Sequence, residues 1–358
     1  RGNAYLLGIS FTESVLLPQM GNDYEAQRKF VNSFEPSADV VMLIVKSVYM
    51  QHNGRYFYKG TNPFLKSTSL VLSHDVDAQT SFLDSLKFAK LEKKYNASAT
   101  YFENTKYFTD SQDIDYYNVP ENREAIKKLK NTGFEIGSHT VSHYVDLVNA
   151  PLGEKGVKFA NYNPLKQFTI RGEVAVSKEL LDRDIPGQNT ISYRSGNLAF
   201  PRALVGVLEE YGYKYDSTFS SNDILTAFPF FAFSERLTGS PVTDVIEIPV
   251  SIDDSMGFLN KQSVKDVISL WNDIIKKNAD NGAVTVLLMH PSDTRDNDYK
   301  LIAQEGIMKF VKSRDGWMGS ITEYGDFWRN RAALDYILAD NGTGIDIVIK
   351  NGTAFPGA

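Results

Sequence analysis

The chain contains no cysteine. That excludes a disulfide framework and any thiolate chemistry. It also has no long apolar run. The longest, residues 40–45, is strand-sized and far short of the roughly 20 residues a membrane helix needs. A basic excess is missing too: 38 Lys and Arg face 44 Asp and Glu, for a formal charge of −6. Nucleic-acid binders usually carry the opposite balance, so a nucleic-acid partner is not expected. Histidine is scarce, with only His52, His74, His139, His143 and His290. Four of these five lie at or just after predicted strand ends, which makes them the first residues to ask about chemistry.

What is present suffices for a large core. The 358 residues are 42% hydrophobic, compatible with one large α/β domain carrying additions or with two domains. The chain opens on Arg1 rather than Met. The expectation is therefore a processed N-terminus and an extracytoplasmic location (secreted, periplasmic or cell-surface) with the signal removed.

Residues 1–66 read as an α/β appendage, with strands at 5–10 and 40–45 and a short helix at 23–34. From residue 67 the pattern alternates. Strands are predicted at 69–73, 97–103, 134–137, 190–194, 213–217, 244–250 and 284–289. Helices are predicted at 80–95, 121–131, 168–185, 201–211, 262–278, 297–313 and 320–337. Strands alternating with helices of this length imply βα units and a parallel sheet, and about seven units suggest a closed or nearly closed barrel. Residues 339–358 change character and read as turn, strand, turn: a short β tail that could begin a further β module. The domain boundaries expected are thus 1–66, 67–338 and 339–358.

The polar motifs follow strands, so a barrel gathers them on its C-terminal face. After the first strand comes Ser73-His74-Asp75-Val76-Asp77. Asp75 and Asp77 share a face because side chains repeat every two residues. Two close carboxylates need a metal, an arginine or a shared proton to offset their repulsion. An Asx-type turn closing the strand is the plain alternative. His74 points to the opposite face and reads as structural or on the pocket rim.

His139 and His143 are four apart, a spacing that aims both imidazoles the same way on a helical turn or in a tight loop. One carboxylate would complete a site for zinc or another divalent transition metal. A hydrogen-bonded surface pair is the alternative. Arg194 ends a strand and can hold a carboxylate ionised. His290 follows six apolar residues and is either a satisfied core-edge residue or a proton donor facing a pocket. Asp216 ends another strand and either orients a catalytic group or caps the next turn. Trp317 could line a sugar groove or pack on the barrel, and Trp271 reads as core.

Taken together, these residues resemble the polysaccharide deacetylases, the fourth family of carbohydrate esterases. The resemblance spans about 67–325. It rests on Asp75-Val-Asp77, His139-Thr-Val-Ser-His143, the Arg194 segment, Tyr215-Asp-Ser and Leu287-Leu-Met-His290, in the family's order. The Asp-Val-Asp form is that of a subset that includes peptidoglycan deacetylases. The third motif reads Arg194-Ser where many members have Arg-Pro. The resemblance implies a distorted (β/α) barrel of fewer than eight units. It implies Asp75 as general base, Asp77, His139 and His143 as metal ligands, Arg194 holding Asp75, His290 as general acid, and Asp216 in the fourth motif. The implied activity is metal-dependent removal of N-acetyl groups from an amino-sugar polysaccharide. The implied cofactor is zinc, with cobalt or nickel as alternatives, and no nucleotide is needed. An O-acetyl esterase or small-amide hydrolase on the same fold is one rival. A non-catalytic glycan-binding surface protein is another.

Overall fold

The computed structural model describes residues 8, 10–20, 31–52, 57–256, 259–292 and 298–350. Two short helices come first, α1 (Phe11–Leu16) and α2 (Ser37–His52). The sheet then begins with β1 (Ser69–Val76), and α3 (Ser81–Lys94), β2 (Thr100–Glu103), α4 (Pro120–Asn131) and β3 (Glu135–Ser138) follow. Next come α5 (Ile170–Asp184), β4 (Ser192–Tyr193), α6 (Leu204–Glu210) and β5 (Tyr215–Asp216). β6 (Phe230–Phe233), β7 (Val242–Glu247) and β8 (Ile252–Asp253) precede α7 (Val264–Asn281) and β9 (Thr285–Met289). The chain continues through α8 (Tyr299–Ser313), β10 (Trp317–Gly319), α9 (Ile321–Ala333), β11 (Tyr336–Asp340) and β12 (Ile345–Ile349).

The strand order is β6-β7-β5-β4-β3-β2-β1-β9-β8, with β10 paired to the start of β1. Every pairing in this sheet is parallel except β6 with β7. Among the described strands β6 and β8 end the order without meeting, so the sheet curls into a half-barrel rather than closing. All seven sequence-predicted strands of the main domain are present, as β1, β2, β3, β4, β5, β7 and β9.

β1 is buried along its whole length, because helices cover both faces of the sheet. Leu70 and Leu72 face outward and join Phe88 of α3, Ile126 of α4, Ile275 of α7 and Ile307 of α8. Val71 faces inward with Phe102, Val286 and Leu288, where Tyr324 and Trp328 of α9 fill the concave side. Trp271 is core, and Trp317 packs against Tyr324.

Two expectations need correction. Residues 40–45 are not a strand but the middle of α2. A six-residue apolar run does not distinguish strand from helix by itself, and here Val48, Tyr49 and Met50 carry it through two further turns. The last helix stops at Ala333 instead of reaching 337. Tyr336 already belongs to an antiparallel hairpin, β11 with β12, which straddles the boundary expected at 338. Most of the expected strand at 5–10 and of the expected helix at 23–34 lie outside the described residues; residue 8 and residues 31–33 are bends, and residue 10 is not in a strand.

Candidate functional site

The C-terminal ends of β1, β3, β4, β5, β8 and β9 deliver the polar residues. Asp75 is the seventh residue of β1, and Asp77 is the first residue beyond it. His139 follows directly on β3. The loop from 139 to 143 turns tightly because Thr140 and His143 both adopt left-handed backbone, at φ 62° and 60°. A β-branched residue resists that conformation, so the loop needs support. Glu173 of α5 supplies it: its Oε2 accepts from the amides of Val141 (3.0 Å) and Ser142 (2.7 Å) and from Ser142 Oγ (2.9 Å). Gly196 leaves room on the other side, since a Cβ there would lie 3.0 Å from His143 Cα. The two imidazoles end with ring centroids 5.0 Å apart.

The donor atoms of Asp77, His139 and His143 lie within 4.8 Å of one another. Asp77 Oδ2 is 3.3 Å from His143 Nε2 and 3.7 Å from His290 Nε2. His139 Nε2 is 3.7 Å from Asp75 Oδ2. The Nδ1 of His139 sits 2.9 Å from the Arg194 carbonyl oxygen. A carbonyl only accepts, so Nδ1 carries the proton and Nε2 presents a lone pair to the cluster. Burial, against the pull of Asp75, lowers the His139 pKa to about 4, keeping the ring neutral. His139 Nε2, His143 Nε2 and Asp75 Oδ2 are buried and make no hydrogen bond. Two orphaned imidazole nitrogens clustered with an Asp77 carboxylate oxygen fit a divalent cation.

Asp75 and Arg194 are both buried. Arg194 Nη1 donates to Asp75 Oδ1 at 2.8 Å, Nη2 to Ser73 Oγ and Ser217 Oγ, and Nε to the Ser217 carbonyl. Burial pushes the Asp75 carboxyl up, but Arg194, His139 and His290 together outweigh it and hold it below the ordinary carboxylate value. His290 Nδ1 sits 2.6 Å from Asp254 Oδ1, and its own amide donates to the same oxygen. Lys300 of α8 braces that pair, 2.9 Å from Asp254 Oδ2 and donating to the His290 carbonyl. Burial alone would depress His290; Asp254 and then Asp77 reverse this and raise it to about 9.

Asp75, Asp77, His139, His143, Arg194 and His290 therefore come together. Asp216 does not join them. It pairs in register with Tyr193 and Glu247, so its side chain shares their face of the sheet, opposite to Arg194. Its carboxylate accepts from Thr218 Oγ1 and lies against Glu247, and burial raises its pKa to about 6. The local reason is strand alternation: the neighbouring Ser217, not Asp216, turns toward the guanidinium. His74 likewise points outward, to Glu92 and Tyr101. Sequence reasoning missed Asp254, Lys300 and Glu173. Asp253-Asp254 was visible as a second acidic pair after a strand, whereas nothing local marks Lys300 or Glu173.

Comparison with known proteins agrees with this architecture at the level of fold. The polysaccharide deacetylase family model matches residues 81–215 of this chain. A Mycobacterium smegmatis structure described as a polysaccharide deacetylase superimposes with a TM-score of 0.54 at 19% identity, covering 78% of this chain and 95% of that one. A Pseudomonas aeruginosa structure given the same description has a TM-score of 0.50 at 14% identity, covering 74% and 92%. The Puue allantoinase is as similar, at a TM-score of 0.52 and 14% identity, with coverage of 74% and 91%. These three share the fold of this chain. No curated protein sequence matches it.

Proposed function

We propose that this protein is a metal-dependent hydrolase that removes acetyl groups from an acetylated amino-sugar polysaccharide. One observation carries the reading: ligand atoms of Asp77, His139 and His143 lie within 4.8 Å of one another beside an aspartate clamped by a buried arginine. Asp77, His139 and His143 would hold the cation, and the mixed N/O donor set suits zinc, with cobalt or nickel as alternatives. When bound, such a cation supplies a Lewis acid beside the scissile carbonyl.

The chain's own residues do the rest. Asp75 is kept ionised by Arg194 through Oδ1, leaving Oδ2 to take a proton from water attacking the acetamide carbon. His290, held by Asp254 and Lys300 with Nε2 toward the cluster, gives its proton to the departing sugar nitrogen as the C–N bond breaks. The products are acetate and a free amino sugar. The Asp-Val-Asp order resembles the peptidoglycan-acting subset, so peptidoglycan stands beside chitin-like glycans as the substrate class. With either substrate we infer a location outside the cytoplasm.

The test is acetate release from chitin oligomers, peptidoglycan and acetylated xylan. The protein is assayed after chelation and again after reloading with zinc, cobalt or nickel. The expected result is metal-restored release from an N-acetylated polymer. Release from xylan alone would replace the amide reading with an ester one. No release from any substrate by a fully metal-loaded protein would sink both.

A further inference from the structure

We propose that the cavity between α2, β6 and α9 binds an anionic amphiphile, a single apolar chain ending in a carboxylate or phosphate. The cavity measures about 580 Å³, within the usual range for small-molecule sites, roughly 300–1,000 Å³. Thr61, which leads into β1, and Gly282, which leads into β9, lie on its wall. It therefore opens at the N-terminal ends of these strands, the opposite end of the sheet from the Asp77 cluster, and has no part in the reaction proposed above.

Its wall is apolar. Leu43, Val45 and Tyr49 come from α2, Phe228 from the segment before β6, Phe230 from the start of β6, and Trp328 from α9. Val45 remains 40% exposed although it borders a concavity. Apolar side chains left in water around a hollow mark a site that something apolar covers.

The charges at the same wall choose the head group. Lys46 is half-buried with its ammonium 4.1 Å from the centroid of the Tyr58 ring. Arg331 is half-buried, stacks on Trp328 at 4.5 Å, and donates only to the carbonyls of Gly60 and Lys59. Among the described residues neither cation meets a carboxylate. A third, Lys59, donates to the carbonyls of Arg331 and Ala332 at the end of α9. The acid on this wall, Asp39, has one oxygen bonded to Thr226 Oγ1 and the other to the Ala227 amide. Two cations that meet no carboxylate among the described residues, beside an apolar hollow, complement a ligand with one anionic end.

The experiment is calorimetric titration of the whole protein with decanoate, decyl phosphate, 1-decanol and inorganic phosphate, each below any micelle concentration. One saturable site per chain is expected for decanoate, decyl phosphate or both, which also tells the two head groups apart. Decanol should bind about fivefold more weakly, since one partly exposed charge contact is worth up to about fivefold in affinity. Lys46→Met should weaken decanoate by about the same factor and leave decanol unchanged. Val45→Trp, which fills the hollow from an exposed helix position, should abolish binding of all the chain-bearing probes. The proposal is overturned by equal affinities for decanoate and decanol, by saturable binding of phosphate alone, by binding unchanged in Val45→Trp, or by no saturable binding.

Discussion

Arg194 and Asp75 lie 119 positions apart in sequence and form a buried ion pair of 2.8 Å at the centre of the half-barrel. Removing the guanidinium alone leaves the Asp75 carboxylate buried without its counter-charge, while Ser73 Oγ and Ser217 Oγ lose a donor but still donate to the Leu287 and Ile248 carbonyls. Arg194→Met should therefore cost roughly 3–5 kcal/mol in urea unfolding, the usual penalty for orphaning a buried charge. Arg194→Lys keeps the charge but not the forked geometry and should fall between. A Met variant within about 1 kcal/mol of the parent would mean the pair is not buried as described.

Asp75→Asn preserves shape and leaves Asp77, His139 and His143 untouched. The cation content should stay the same while acetate release falls roughly 10²–10⁴-fold, the range associated with losing a general base. Retained turnover would refute the assignment of the base.

Asp77→Ala and His139→Ala each remove one donor from the cluster. Elemental analysis after dialysis should show one cation per chain in the parent and none in either variant. Thermal melts give an independent readout. A saturating cation at about 100 times its Kd should stabilise the parent by about 2.7 kcal/mol and the variants not at all.

Asp39 offers a test away from the cluster. Its carboxyl is buried, and burial raises its pKa to about 6, against hydrogen bonds from Thr226 and Ala227 that lower it. The folded chain therefore holds this proton more tightly than the unfolded chain. Its contribution is fully favourable below about pH 4 and is lost as pH rises through about 6, by about 3 kcal/mol. In Asp39→Asn this loss is absent. The stability of the variant relative to the parent should rise between pH 4 and 7, measured by urea unfolding at each pH. A flat difference would show that Asp39 titrates normally.

Much of this was legible in the linear chain. The alternation of β and α segments from residue 67 is a local signal, because each helix face and each buried strand announces its own period. The motifs at 75–77, 139–143 and 290 were legible for the same reason, since each sits where a strand stops. The apolar run of α2 was misread because six consecutive apolar residues carry no period at all.

From residue 67 on, the sequence by itself determined most of the segments that become strands and helices, and that four of its five histidines fall at strand tips. Only the tertiary structure decided which tips meet. Whether Ser217 or Asp216 turns toward Arg194 depends on the phase of a two-residue strand. That Asp254 and Lys300 brace His290 depends on β8 pairing beside β9. Such pairings join residues tens to more than a hundred positions apart, and no local periodicity records them, because they are fixed by how the whole sheet packs against its helices.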